Sequence, residues 1–143
     1  MADKVRPSPS LELPAVLESL PQFLEFLSLS AQEMGFDRKE INRIELAVEE
    51  AIVNIVRYAY GEESGKINVI CRSEHNDALL VEIIDSGMPF NPLDAIKPDL
   101  DADIEDRLIG GLGIYLTEKL VDNIHYRREG NKNILTLILF KQA

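Results

Sequence analysis

Glu50 and Asn54 are the residues whose types and spacing first suggest chemistry in this chain of 143 residues. They are four positions apart, so on a helix they lie one turn apart on the same side. A carboxylate there can accept a proton from water or a hydroxyl, and a carboxamide oxygen can bind a hard cation such as Mg²⁺. The alternative is that both are solvated residues on an exposed helix face, and this segment alone favours that simpler interpretation.

The helix that would carry this pair covers residues 41–60 and has one apolar side. Its hydrophobic residues recur at spacings of three and four, which is the period of an amphipathic helix. Asp37 and Glu40 match a capping box just ahead of it, and Gly61 is a typical residue after a helix end. The polar pair lies roughly opposite the apolar residues, which are Ile41, Ile44, Val48, Ala51, Ile52, Ile55 and Ala59.

A second polar pair, Asp85 and Gly87, follows a strand-like run. A buried carboxylate at this position could accept a hydrogen bond from the exocyclic amine of adenine, and Gly87 would let the base approach the backbone. The other interpretation is an ordinary Asp-Ser-Gly turn, which is common.

Gly110, Gly111 and Gly113 precede a further apolar-periodic segment that predicts a helix. Backbone N–H groups at a helix start can approach an anion, and the helix dipole adds positive charge there, so a phosphate cradle is one interpretation. A flexible hinge with a helix cap is the other. The segment is not a P-loop because no Gly-Lys-Ser/Thr follows, and Leu116 stands where a dinucleotide fingerprint has its third glycine.

The rest of the pattern predicts the elements around these residues. We expect a short edge strand at 8–13, a helix from about Pro21 to Gly35, and two hairpins with strands at 66–72, 78–84, 124–129 and 134–140 and turns at 73–77 and 130–133. This order predicts an α+β two-layer sandwich with helices on one face of a mixed, mainly antiparallel sheet. Residues 8–141 are expected to form a single domain after a flexible N-terminus at residues 1–7.

The composition argues against several classes of protein. The net charge of −10 repels phosphate backbones, so we expect no general nucleic-acid binding but a partner with a basic patch. No apolar run is long enough to span a bilayer and the N-terminus has no apolar signal core, so we expect no membrane association. Cys71 is the single cysteine and cannot form an internal disulfide, which agrees with a cytoplasmic location.

Taken in order, the three polar segments resemble the ATPase superfamily that includes gyrase, the Hsp-ninety chaperones, sensor histidine kinases and the MutL repair proteins. Glu50-x-x-x-Asn54 is similar to the N box of that superfamily, Asp85-Ser-Gly87 to its first glycine box and Gly111-Leu-Gly113 to its second. The sequences at 85–92, 110–116 and 121–128 are similar to its small single-domain branch, the anti-sigma-factor serine kinases. The resemblance covers about residues 8–141.

The resemblance implies the histidine-kinase-like ATPase (Bergerat) fold, with ATP held between the helices and the sheet. Glu50 would be the general base that activates the attacking hydroxyl. Asn54 would bind the Mg²⁺ that bridges the phosphates. Asp85 would contact adenine with Gly87 beside it, and Thr136 would complete the pocket.

The same resemblance assigns roles in the glycine segment and the loop before it. Gly111, Leu112 and Gly113 would lie at the phosphates, and residues 93–109 would form a lid. Arg107, at the end of this lid, could reach the γ-phosphate, and a solvated loop arginine is an equally good interpretation.

The chain departs from the branch at one place near the N box. The branch often has a histidine three or four residues after the asparagine, whereas this chain has Arg57-Tyr58-Ala59-Tyr60. The second glycine of the first box is Pro89 or absent. Neither change touches Glu50 or Asn54, so the resemblance still allows catalysis.

The resemblance implies an ATP-dependent protein-serine kinase that phosphorylates a small anti-sigma antagonist (STAS type) and sequesters a sigma factor. A nucleotide-binding interaction module without phosphotransfer is the alternative. The catalytic fragment of a histidine kinase ranks last, because no helical hairpin with a phosphoacceptor histidine precedes the domain. A homodimer is left open, since members of the branch often dimerise and Leu11, Leu13 and the first helix could supply the surface.

Overall fold

The computed structural model describes residues 8–60, 64–75, 77–94, 117 and 119–141. Within these ranges the chain forms one sheet of five strands, two complete α-helices and the helical residues Thr117, Lys119 and Leu120, with short 3₁₀ turns at Leu17–Ser19 and Pro92–Asp94. In chain order the elements are β1 (Ser10–Pro14), α1 (Leu20–Glu33), α2 (Arg38–Tyr58), β2 (Lys66–Glu74), β3 (Ala78–Asp85), β4 (Asn123–Glu129) and β5 (Lys132–Phe140).

The order of strands across the sheet is β1-β2-β3-β5-β4. Every neighbouring pair among these strands is antiparallel. The expected antiparallel hairpins are therefore confirmed, and the short first strand lies at the sheet edge. The register places Asp85, the last residue of β3, opposite Asn133 in β5.

The start of α2 follows from its capping box. The Glu40 backbone N–H donates to Asp37 Oδ1 at 2.8 Å, and the Asp37 backbone N–H donates to Glu40 Oε1 at 2.9 Å. Two backbone donors that a helix start leaves without partners are thus satisfied, as the sequence predicts. The helix ends at Tyr58, slightly before the expected end, and Gly61 lies outside the described residues.

Both helices pack their apolar sides on one face of the sheet. Successive strand residues alternate between the two faces, so one set of alternate positions is buried beneath the helices. These buried sheet residues are Ile67, Val69, Cys71, Leu79, Val81, Ile83, Leu135, Leu137 and Leu139. Asp85 and Asn133 continue this set by strand alternation, so they lie on the helix side of the sheet.

The second hairpin differs from the expectation in its turn. Glu129 pairs with Lys132, so Gly130 and Asn131 alone form the turn, and Gly130 has a left-handed φ of 58°. The predicted turn at 130–133 is therefore too long, and Asn133 belongs to β5. Of the helix predicted after Gly113, the described residues Thr117, Lys119 and Leu120 are helical.

Candidate active site

Asn54 lies on α2 and is buried, with 5% of its surface exposed. Its side-chain Nδ2 donates to the backbone oxygen of Glu50 at 2.9 Å, which fixes the carboxamide along the helix. The Oδ1 atom takes no part in that bond and can serve as a ligand. The solvated-face interpretation is therefore wrong for Asn54. Thr117 Oγ1 donates to the Ala47 oxygen at 3.2 Å, so a second segment packs near this side of α2.

Glu50 is half-buried, one helical turn before Asn54. Burial raises the pKa of its carboxyl, the neighbouring Glu49 raises it further, and Arg57 partly offsets both effects. A carboxylate with a raised pKa is a stronger base. Glu50 is therefore suited to accept a proton from a hydroxyl.

Asp85 is 3% exposed at the end of β3. Burial raises the pKa of its carboxyl, while hydrogen bonds from Asn133 and from the Gly87 backbone, and the positive charge of Arg128, act in the opposite direction. Both hydrogen bonds end on Oδ1, each at 2.9 Å. The other oxygen, Oδ2, takes no part in either bond.

Gly87 packs against the end of α2. A β-carbon on Gly87 would stand 2.4 Å from the backbone oxygen of Ala59, far inside contact distance. That oxygen accepts the backbone N–H of Met88 at 2.9 Å. The glycine is thus required by the approach of two backbones, a reason that the sequence does not reveal. Ala59 follows Asn54 by five residues, which is about 7.5 Å along a helix axis.

Two tyrosines after the N box add further contacts between the end of α2 and the turn that follows Asp85. The Tyr60 hydroxyl donates to the Lys66 oxygen at 2.6 Å and accepts the backbone N–H of Ser86 at 2.7 Å. The rings of Tyr58 and Phe90 lie 5.7 Å apart. The stretch in which the resembling branch often has a histidine therefore anchors the turn that follows Asp85.

Asn133 and Arg128 also contact Asp85 and the turn after it. Arg128 ends the run 121–128 that resembles the branch, but the sequence assigns no role to either residue. Asn133 is 3% exposed and hydrogen-bonds Asp85 directly. Arg128 Nη1 donates to the Gly87 oxygen at 2.9 Å and to Asn133 Oδ1 at 3.1 Å. One signal was available in the sequence: Asn133 alternates with Leu135, which places it on the buried face if the strand begins at Lys132.

Thr136 lies elsewhere in the structure. It pairs with Glu82, and strand alternation places both on the sheet face away from the helices, opposite to Asp85. Thr136 is also three residues from the Asp85 pairing, about 10 Å along the strand. The structure places Glu50 and Asn54 on α2 and packs Gly87, which follows Asp85, against the C-terminal end of that helix. Thr136 lies on the other face of the sheet. Arg107, Gly111, Leu112 and Gly113 lie outside the described residues.

Comparison with known proteins agrees with this arrangement. The family model of the histidine kinase-like ATPase domain matches residues 13–139. The serine-protein kinase RsbW of Listeria monocytogenes serovar 1/2a is 36% identical over an alignment of 143 positions, which covers 95% of this chain and 87% of the relative. The chain therefore belongs to the family of histidine kinase-like ATPase domains, and within it to the group of the serine-protein kinases RsbW. The RsbW of Bacillus mycoides is 28% identical over an alignment of 134 positions, which covers 87% of this chain and 80% of that relative.

Solved structures share the fold. The RsbU and RsbW domains of a Mycobacterium tuberculosis protein match 94% of this chain with a TM-score of 0.64 and 20% identity, and this chain spans 33% of that longer one. The catalytic domain of histidine kinase ThkA matches 93% of this chain and 96% of its own, with a TM-score of 0.52 and 16% identity. The predicted histidine-kinase-like α+β fold is confirmed. None of the helices within the described residues combines the length and hydrophobicity needed to cross a bilayer.

Proposed function

We propose that this protein is an ATP-dependent serine kinase of an anti-sigma system, acting in the cytoplasm. It phosphorylates a serine on a small STAS-type antagonist and binds a sigma factor in its other state. The observation that carries the proposal is the position of Glu50 and Asn54 on α2, whose C-terminal end contacts the turn after Asp85. The RsbW relatives, similar along almost the whole chain, support the same reaction.

Asn54 is the residue that we assign to Mg²⁺. Its Nδ2 is held by the Glu50 carbonyl, so a hard amide oxygen is left for the ion. Mg²⁺ keeps several waters and commonly takes one or two protein oxygens together with substrate phosphates, so a single amide ligand fits its chemistry. No group of three or more His, Cys, Asp or Glu side chains suited to a metal lies in the described part of the chain. Mg²⁺, when bound, would neutralise charge on the phosphates.

Glu50 is the proposed general base. The attacking serine hydroxyl gives its proton to the carboxylate as its oxygen bonds to the γ-phosphorus and ADP leaves. Because phosphoryl transfer depends mainly on positioning and on charge neutralisation, a base held on a rigid helix beside the Asn54 ligand is well placed.

The nucleotide is proposed to lie along α2 from Asn54 towards Asp85. Asp85 would accept the amino group of adenine, with Gly87 beside it. Gly111, Leu112 and Gly113 would contact the phosphates, and Arg107 would approach the γ-phosphate; these four assignments rest on the motif resemblance. Thr136 is left out of the pocket because of its place on the other face of the sheet.

The first experiment is calorimetric titration of the full chain with ATP, with and without Mg²⁺. Binding that strengthens with Mg²⁺ and loses this strengthening in Asn54→Ala supports the assigned nucleotide and ion. Phosphotransfer from γ-labelled ATP to STAS-type antagonists of the same organism then tests the kinase activity. ATP binding without transfer to any antagonist, together with ATP-dependent partner affinity, would replace the kinase by a nucleotide-controlled binding module.

A further inference from the structure

The side chain of Asn133 uses its hydrogen-bonding capacity at both ends. Its Nδ2 donates to Asp85 Oδ1 at 2.9 Å and to the Met88 oxygen at 2.8 Å. Its Oδ1 accepts from the Tyr126 hydroxyl, from Arg128 Nη1 and from the Phe90 backbone N–H. A buried amide so completely bonded is held in one position by its neighbours.

This network also fixes which end of the amide faces Asp85. In the reversed orientation, the amide oxygen would face two acceptors, Asp85 Oδ1 and the Met88 oxygen. The amide nitrogen would then face two groups that can only donate, Arg128 Nη1 and the Phe90 backbone N–H, beside the Tyr126 hydroxyl. A primary amide has two N–H donors and one acceptor oxygen, so the observed orientation satisfies the site and the reversed one does not. The network therefore holds Asn133 in the orientation that directs an N–H group at Asp85.

These hydrogen bonds make the two carboxyl oxygens of Asp85 different from each other. Oδ1 is occupied by Asn133 and by the Gly87 backbone, so Oδ2 is left as the acceptor for a ligand. An ionised carboxylate can only accept hydrogen bonds. The donor supplied by Asn133 favours this ionised form in a buried place where the carboxyl would otherwise tend to hold a proton.

We propose that Asn133 is a positioning residue that sets nucleobase selectivity. It keeps Asp85 in the acceptor state with Oδ2 directed to the ligand, and thereby selects a 6-aminopurine over a 6-oxopurine. The inference rests on the proposed nucleotide function. A 6-oxopurine presents a carbonyl oxygen to the carboxylate, and two acceptors cannot share a hydrogen bond, so a buried polar pair is left unsatisfied.

Asn133 also reaches the turn beyond Asp85. Its contacts with Met88 and Phe90 hold the backbone that follows Gly87. A merely structural asparagine would be needed only for that turn. The test must therefore measure discrimination between two bases, since a general loss of structure would weaken both.

The experiment measures dissociation constants of ATP and inosine triphosphate by calorimetry on the full chain. The variants are Asn133→Asp and Asn133→Ala, with Tyr126→Phe as the control. Tyr126 contacts the acceptor end of the amide and leaves its N–H groups in place. We expect the unaltered chain and Tyr126→Phe to prefer ATP by roughly tenfold or more, and both Asn133 variants to fall to about twofold.

A pH series separates positioning from folding. In Asn133→Asp two carboxyl groups face each other, so one must hold a proton, and ATP affinity should rise as pH is lowered from 8 to 6. Other ionisable groups around this position, among the described residues, are Arg128 and Tyr126 of β4 and Tyr60 after α2. A pH dependence that Asn133→Asp shows and that the unaltered chain and Asn133→Ala both lack belongs to the introduced carboxyl pair.

Each outcome decides a separate question. If Asn133→Asp binds ATP with the unaltered preference and no new pH dependence, Asn133 does not position Asp85. If that variant does not fold, the preference of Asn133→Ala decides in the same way. If the unaltered chain binds neither nucleotide, the proposed function is overturned and the inference with it.

Discussion

Gly87 and Ala59 are in contact through their backbones, and the contact joins the two halves of the site. The Ala59 oxygen lies 2.4 Å from the place of a Gly87 β-carbon and accepts the N–H of Met88. Ala59 caps α2, which carries Glu50 and Asn54, whereas Gly87 follows Asp85 by two residues. The distance between the Glu50–Asn54 pair and Asp85 is therefore set by this backbone contact.

Gly87→Ala should destabilise the fold and weaken nucleotide binding. The obstructing atom is a backbone oxygen, which cannot move aside as a flexible side chain can, so we expect a loss of about 1–3 kcal/mol in the free energy of unfolding. Urea unfolding followed by circular dichroism measures this loss. ATP titration should show an affinity reduced by about tenfold or more.

The matched control is Gly130→Ala, in the turn between β4 and β5. Gly130 has a φ of 58° but no atom within 4 Å of an added β-carbon. Its substitution should therefore cost about 1 kcal/mol of backbone strain and leave ATP affinity unchanged. Equal ATP affinities for the Gly87 variant and the unaltered chain would show that the junction does not set the site.

Glu50→Gln should separate binding from catalysis. The substitution keeps the shape of the side chain but removes the base, so the phosphotransfer rate should fall by about 10²-fold or more with ATP affinity nearly unchanged. Single-turnover transfer and calorimetry measure the two quantities. A transfer rate close to that of the unaltered chain would exclude Glu50 as the base.

Glu49→Gln is expected to shift the pH dependence of the same reaction. Glu49 contributes to the raised pKa of Glu50, so its neutralisation should lower that pKa. The base stays ionised to lower pH, and the acid side of the rate profile should move to lower pH. An unmoved or opposite shift would mean that another group controls the acid side.

Asp85→Asn should weaken ATP binding and, as pH rises, become more stable relative to the unaltered chain. The native pKa of Asp85 is raised above its ordinary value, so the folded state binds the proton more tightly than the unfolded state. The unaltered chain therefore loses stability as pH rises from the ordinary pKa through the raised one, relative to a variant without this carboxyl. Asparagine can still accept the bonds from Gly87 and Asn133 through its oxygen.

Urea unfolding at pH 4 to 8 measures this difference, and ATP titration measures the loss of the acceptor. Stability of Asp85→Asn relative to the unaltered chain should rise across that pH series, while its ATP affinity falls by about tenfold or more. A relative stability that declines with rising pH would contradict the assigned direction of the pKa shift.

The features that could be predicted from sequence were those whose signals are local. The Asp37–Glu40 box lies within four residues, and the alternation of Ile67, Val69 and Cys71 needs only a strand period. The order of these local elements then predicts one sheet with helices covering one of its faces. The spacing of Glu50 and Asn54 likewise followed from one helix.

The other parts of the site depend on contacts between distant residues. The need for Gly87 comes from Ala59, twenty-eight positions earlier, and the bond between Asp85 and Asn133 joins residues forty-eight apart. Because Gly130 to Asn133 is rich in turn-forming residues, the sequence predicts a turn that includes Asn133, whereas the actual two-residue turn places Asn133 in β5. Strand alternation along β5 places Thr136 on the sheet face away from the helices.

The far face of the sheet offers a test that should leave the nucleotide site untouched. Glu82 lies on β3, three residues before Asp85 but on the opposite face, and its side chain is 7% exposed. Its carboxylate lies 2.9 Å from Arg72 Nη2 and 3.4 Å from Arg127 Nη2. Both arginines are half-exposed, so each alone can keep the buried charge paired.

Single Arg72→Met and Arg127→Met variants should therefore cost about 1 kcal/mol or less each, because one partner remains. The double variant leaves the buried Glu82 carboxylate without an arginine, so its cost should exceed the sum of the single variants by about 1–2 kcal/mol. Urea unfolding of the four proteins gives this coupling. Removing the carboxylate as well, in the triple variant with Glu82→Met, should recover much of the loss.

ATP affinity is the second measurement in this series. Strand alternation separates Glu82 from Asp85, so all of these variants should bind ATP like the unaltered chain under conditions in which they are folded. Additive costs would show that solvent, rather than the arginines, compensates the Glu82 charge. Weakened ATP binding in the folded variants would show instead that the two faces of β3 are coupled, since the substitutions touch neither α2 nor the Asp85–Asn133 pair.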